Sequence, residues 1–151
     1  MSESLRGTVA FKHFLVFFWC IWWLVICLSH LAGIAQFWAW LPGNSLTSHY
    51  VSIAQAIGPS HIVLSNIIFL VSLVLQIIAA VHFLRALFSM GSDNWHNNVS
   101  HAFVYSLSIF MLLYASYLLL QFLGANFVDY YHETMRMIIL QFLCTLFVIL
   151  A

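Results

Sequence analysis

From Phe14 to Ala32 this chain runs without a charged residue, and three further long apolar stretches follow it. About 20 mainly apolar residues are what an α-helix needs to cross the hydrocarbon core of a bilayer. Inside that core no water is present to satisfy backbone N–H and C=O groups, so a single apolar segment can cross only by bonding to itself as a helix. The apolar pattern predicts spans at about 14–32, 61–84, 101–123 and 135–151. The expected fold is all-α: a polytopic, multi-pass integral membrane protein whose residues 1–151 form one four-transmembrane-helix bundle.

Composition supports the same reading. Hydrophobic residues make up 64% of the chain and charged residues 5%, whereas a soluble domain carries roughly a quarter charged residues. Four Lys/Arg balance four Asp/Glu, so there is no basic field for nucleic acid, which is excluded as a partner, and no acidic tail. Cys20, Cys27 and Cys144 fall in apolar runs with no C-x-x-C spacing and read as small packing side chains. Arg6 and Lys12 ahead of an apolar run, with Gly33-Ile34-Ala35 after it, resemble a cleavable signal peptide. The run is longer than a typical signal core, so it reads as a retained span.

The connections carry their own signals. Pro42-Gly43-Asn44 and Gly58-Pro59 are turn formers. Phe37, Trp38, Trp40 and Leu41 suit the headgroup boundary, and Ser45 to Ile57 can form a short interfacial helix in the first loop. Ser60 is a candidate N-cap for the second span, and Gly91-Ser92-Asp93-Asn94 lies in the loop expected over 85–100. Arg6, Lys12 and Arg85 fall on one side of a four-span chain, which predicts that both termini and the 85–100 loop are cytoplasmic. Arg136 dissents and is accommodated by snorkelling or by pairing with Glu133 or Asp129. The sequon Asn98-Val99-Ser100 falls on the cytoplasmic side and should remain unmodified.

Eight histidines in so apolar a chain are the main functional signal, because an ionisable group in or beside a span is costly. Alternate threading puts His13, His82, His96 and His101 toward the cytoplasmic side, and His30, His49, His61 and His132 toward the other. At about 100° per residue, three spans show a small-or-polar stripe. These are Cys20, Trp23, Cys27 and His30 on the first; His61, Ser65, Ser72, Gln76 and Ala79 on the second; and His101, Tyr105, Ser108 and Ser116 on the third. All three stripes are expected to face a common interior.

Imidazole is a normal axial ligand of haem iron, and bundle interiors hold cofactors. The candidate cofactor-binding residues are therefore His82 with His101 (or His13) at one site and His30 with His61 at another. The expected function is that of a small integral membrane subunit of a larger, respiratory or otherwise redox, complex. It anchors other membrane subunits within the lipid bilayer and binds haem b or quinone for electron transfer, without being catalytic alone. The alternatives are a purely structural accessory subunit without cofactor and a small transporter or channel component, for which charged residues near the midplane are expected and only Gln76 and Gln141 are found. A histidine near a helix end also serves simply to bond a backbone carbonyl, and small or hydroxyl residues mediate close helix packing in lipid.

Two weaker patterns complete the reading. Ser29-His30-Leu31 followed by Phe37-Trp38-Ala39-Trp40-Leu41-Pro42 resembles the end of a light-harvesting β-polypeptide over about a dozen residues. That resemblance implies a chlorin pigment, and the chain departs from that family's single-span pattern. Asp129-Tyr130-Tyr131-His132-Glu133 offers oxygen and nitrogen ligands for a metal together with His30, His49 or His61. Its spacing is no recognised signature, and a solvated loop is the preferred reading, with no metal site. G-x-S-x-G, H-E-x-x-H and phosphate-binding glycine loops are absent from the sequence.

Overall fold

The computed structural model describes residues 3–37, 40, 42, 62–122 and 128–150. Within them the chain forms α1 (Glu3–Phe37), α2 (Ile62–Phe88), α3 (Trp95–Phe122) and α4 (Val128–Leu150), and no strand. Each helix is longer than its apolar core alone requires. α1 begins eleven residues before Phe14, α3 six before His101 and α4 seven before Met135. The apolar run reports only what lipid must cover, and nothing in Glu3–His13, Trp95–Ser100 or Asp129–Thr134 breaks a helix, since these segments lack proline.

Three helices contain windows long and apolar enough to cross a membrane: Gly7–Gln36, Phe69–Phe88 and Trp95–Ser116. The apolar part of α4, Thr134–Leu150, is shorter. Phe14, Val25, Leu28, Val63, Leu70, Met111 and Leu143 all stand outward and exposed, an outer surface suited to lipid and not to water. The chain is a helical membrane protein.

The helix ends are closed locally. The Trp40 N–H donates to Ala35 O at 2.7 Å, which satisfies one carbonyl that the helix end leaves unpaired. Between α2 and α3 the expected 85–100 loop contracts to a turn over 89–94. Ser89 N–H donates to Arg85 O, Ser92 N–H to Ser89 O and Trp95 N–H to Ser92 O, at 3.0–3.1 Å. Gly91 has φ of 86°, in the left-handed region that only glycine enters without strain. The turn places His96 and the Asn98-Val99-Ser100 sequon in the first turns of α3. Arg85 occupies the last turn of α2, where a cation complements the helix dipole.

α1 packs on α2, α2 on α3 and α3 on α4. Phe11 meets Phe147 edge to face at 5.0 Å, and His13 lies 4.6 Å from Trp95. The start of α1, the α2–α3 turn and the end of α4 therefore share one end of the bundle. The core sets large side chains against small ones. Trp19, Trp23, Phe83 and Phe103 are fully buried beside Ala79, Ala80, Ala86 and Ala102, and small residues of this kind let helices approach closely in lipid. Cys20 and Cys27 are buried free thiols in this core and Cys144 is half-buried, as expected of packing residues.

Candidate functional site

The helical phase of α1 and α2 matches the stripes read from the sequence. Cys20, Trp23 and Cys27 are buried with His30 half-buried, and Ser72, Gln76 and Ala79 are buried. Where these two faces meet, the His30 Nδ1–H donates to the Gln76 side-chain oxygen at 2.7 Å, and the ring sits edge-on to Phe69 at 5.4 Å. His30 thus lies between the levels of Phe69 and Gln76 on α2. That is roughly 14 Å along the helix from His82 at 1.5 Å per residue. His61, its expected partner, and His49 lie outside the described residues, as do the Ser45–Ile57 segment and the Ser60 cap.

On α3 the phase is the reverse of the expected one. His101, Tyr105 and Ser108 face outward, and the buried face is Val99, Ala102, Phe103, Ser106, Ile109 and Phe110. The outward serines bond to their own helix: Ser108 Oγ–H donates to Val104 O and Ser116 Oγ–H to Leu112 O, both at 2.9 Å. A hydroxyl satisfied this way needs no polar interior, so it gives no information on which face is buried. Ser106 carries that information instead. It is fully buried and accepts the Trp23 indole N–H at 3.0 Å across the bundle.

The two histidines favoured as a pair, His82 and His101, meet on the outer face of α2 and α3. Both pack against Tyr105, at ring-centre distances of 4.5 Å and 6.3 Å. Tyr105 is half-exposed and His101 exposed, so the cluster opens toward lipid or a neighbour and not into the bundle. The His82 Nδ1–H donates to Ile78 O at 2.8 Å. A carbonyl only accepts, so in the neutral ring the proton is on Nδ1 and the Nε2 carries the lone pair. Metal-bound histidines are oriented in this way, with the second ring nitrogen donating to a carbonyl or carboxylate. Tyr105 thus packs against both of the rings expected to share one macrocycle.

Among the described residues no three His, Cys, Asp or Glu side chains gather to hold a metal ion. The Asp129–Glu133 segment expected as a loop is helical, forming the first turns of α4, and His132 is exposed. Gln141, expected only as a lesser polar residue of the fourth span, lies in the core. This side chain is fully buried, and neither its amide nitrogen nor its oxygen finds a partner; the indole N–H groups of Trp19, Trp22 and Trp95 are likewise buried without one. Its spacing with Thr145 and Val148, also buried, is the i, i+4, i+7 signal of an inward face.

Comparison with protein families, with curated proteins and with solved structures finds no match. The resemblance of the residues around His30 to a light-harvesting polypeptide is not extended by any relative, and the site rests on its own geometry.

Proposed function

We propose that this chain is a small subunit of a larger redox membrane complex, crossing the bilayer four times with both termini cytoplasmic. In this reading it carries one axial ligand of a b-type haem, His82, on the outer face that α2 and α3 offer to a neighbouring subunit. The observation that carries the reading is the His82 Nδ1–H bond to Ile78 O, which presents the Nε2 lone pair away from its own helix. Bis-histidine ligation would be completed by a histidine of the partner. His101 and Tyr105 flank the site, and Arg85, exposed one turn nearer the bundle end, is the cation for the haem propionates. Arg85, one turn from His82 toward the end of α2, would supply the charge that holds the propionates near the headgroup zone.

A partner is part of this reading because Phe14, Phe17, Val104 and Tyr105 lie on an apolar exterior. A second reading, a structural subunit without cofactor, is favoured by the same bond, since a lone histidine uses a carbonyl one turn back simply to satisfy its ring. Mild detergent extraction followed by native electrophoresis and a haem-peroxidase stain separates the two. The redox reading expects the chain in a band larger than itself that stains for haem; a larger band without haem supports the structural reading, and a lone, active monomer contradicts both.

A further inference from the structure

We infer that the junction between Lys12 and the first turn of α3 is a binding site for the phosphate of an anionic membrane phospholipid. The site is separate from His82 and does not rest on the redox reading.

Lys12 is the one charged side chain buried among the described residues, with 6% of its surface exposed. Burying a cation is costly unless an opposite charge or an acceptor meets it. Among the described residues none bonds to Lys12, and Asp93, the acidic residue of the α2–α3 turn, is exposed. A lysine stem can lie along apolar surface while its nitrogen reaches outward, so the ammonium group is open to an anion from the end of the bundle.

Two contacts fix what faces it. Trp23 of α1 bonds to Ser106 of α3, 83 positions on, and His13 touches Trp95 at 4.6 Å with nearly the same offset. In this register Lys12 stands level with Asn94 and Trp95, where α3 begins. Lys12, Val16, Trp19 and Trp23 follow one another at i, i+4, i+7, i+11 and are all buried. They form one face of α1, and through Trp23 that face is directed at α3.

The first turn of α3 is itself a positive site. The Trp95 N–H donates to Ser92 O and the Asn98 N–H to Asn94 O, which leaves those of His96 and Asn97 without an intrahelical acceptor. The helix dipole adds about half a positive charge there. Trp95 contributes an indole N–H buried without an acceptor, but so do Trp19 and Trp22 elsewhere in the core; Lys12 is what marks this place. A buried cation set against the positive end of a 28-residue helix is unfavourable unless an anion joins them, and helix N-termini bind phosphate.

Depth selects the source of the anion. Lys12 lies two residues before the charge-free run that opens at Phe14, the level at which hydrocarbon gives way to headgroups. A phosphate there offers several acceptor oxygens to the ammonium group and the free N–H groups. A choline headgroup would bring its own cation toward Lys12, whereas a glycerol headgroup brings none, so the site favours anionic phospholipid.

The test uses the full chain in a non-ionic detergent, titrated with phosphatidylglycerol and, separately, with phosphatidylcholine of the same chain length. Bound lipid is counted by native mass spectrometry, and the melting of the helical circular dichroism is recorded alongside. One phosphatidylglycerol per chain is expected to bind saturably and raise the melting temperature, with phosphatidylcholine about tenfold weaker or more. Lys12→Met keeps the apolar stem and should lower phosphatidylglycerol affinity to the phosphatidylcholine level. Arg136→Gln removes the same charge from an exposed position at the start of α4 and should leave binding unchanged. Equal affinity of the wild type for the two lipids overturns the site whether or not a variant folds. So does wild-type affinity in Lys12→Met, or an equal loss in Arg136→Gln, which would mean a general effect of charge. Displacement of the lipid by millimolar inorganic phosphate would assign the junction to a free anion and overturns the lipid as its ligand.

Discussion

His30 and Gln76, forty-six positions apart, are joined across α1 and α2 by a 2.7 Å hydrogen bond inside the apolar body of the protein. In a low-dielectric interior such a bond is most visible when one partner is removed. Gln76→Leu alone removes the Gln76 end of this bond and is expected to destabilise the bundle by about 1–3 kcal/mol. The double variant His30→Phe, Gln76→Leu removes both polar groups together and should return close to wild-type stability. Denaturation in lipid or detergent micelles reads both. A double variant no more stable than Gln76→Leu contradicts the pairing.

Trp23 and Ser106 make the second polar contact across the core, between α1 and α3. Ser106→Ala removes the acceptor of a buried indole N–H and should cost about 1–3 kcal/mol. Trp23→Phe also loses packing against Phe110, whose ring lies 4.9 Å away. A double-mutant cycle is expected to return a coupling of about 1 kcal/mol between Trp23 and Ser106, and a coupling of zero would mean that the two do not bond in the membrane.

The tight α2–α3 turn depends on Gly91. No atom lies near the position of an added Cβ, so the cost of Gly91→Ala is conformational and not steric crowding. A φ of 86° forces alanine into the left-handed region, which costs about 1–2 kcal/mol. Lowered thermal stability with unchanged helicity is the expected result. No loss would show that the turn adopts another conformation.

Much of the architecture was legible in the sequence because lipid imposes so simple a rule. The apolar runs around Phe14–Ala32 and 61–84 could only be helices, and the inward faces of Cys20, Trp23 and Cys27 and of Ser72, Gln76 and Ala79 followed from their spacing. The face of α3 did not follow. With apolar side chains all round the helix, the phase rested on Ser108 and Ser116, whose hydroxyls bond to Val104 O and Leu112 O of their own helix, while the informative serine was Ser106. Helix ends were misjudged for a related reason: hydropathy marks the lipid-covered part, and α1 and α4 continue as helices beyond it. Gln141 passed as a lesser polar residue because periodicity does not tell whether a buried amide finds a partner.

The shared end of the bundle gives a topology test. Lys12, Arg85 and the 89–94 turn lie at that end, and the excess of positive charge there is the basis of the proposed cytoplasmic orientation. A cysteine introduced at Ser92 should resist a membrane-impermeant thiol reagent applied from outside, and one at Ser45 should react. The reverse pattern overturns the orientation while leaving the helix packing intact.

The haem reading stands or falls on an absorption spectrum. The wild-type chain, extracted gently with its partners and reduced with dithionite, is expected to show the α-band of a b-type haem. His82→Ala should abolish that band while the protein remains in the membrane and in its assembly. A wild-type complex without the band, or a His82→Ala complex that keeps it unchanged, contradicts the assignment of His82 as a haem ligand.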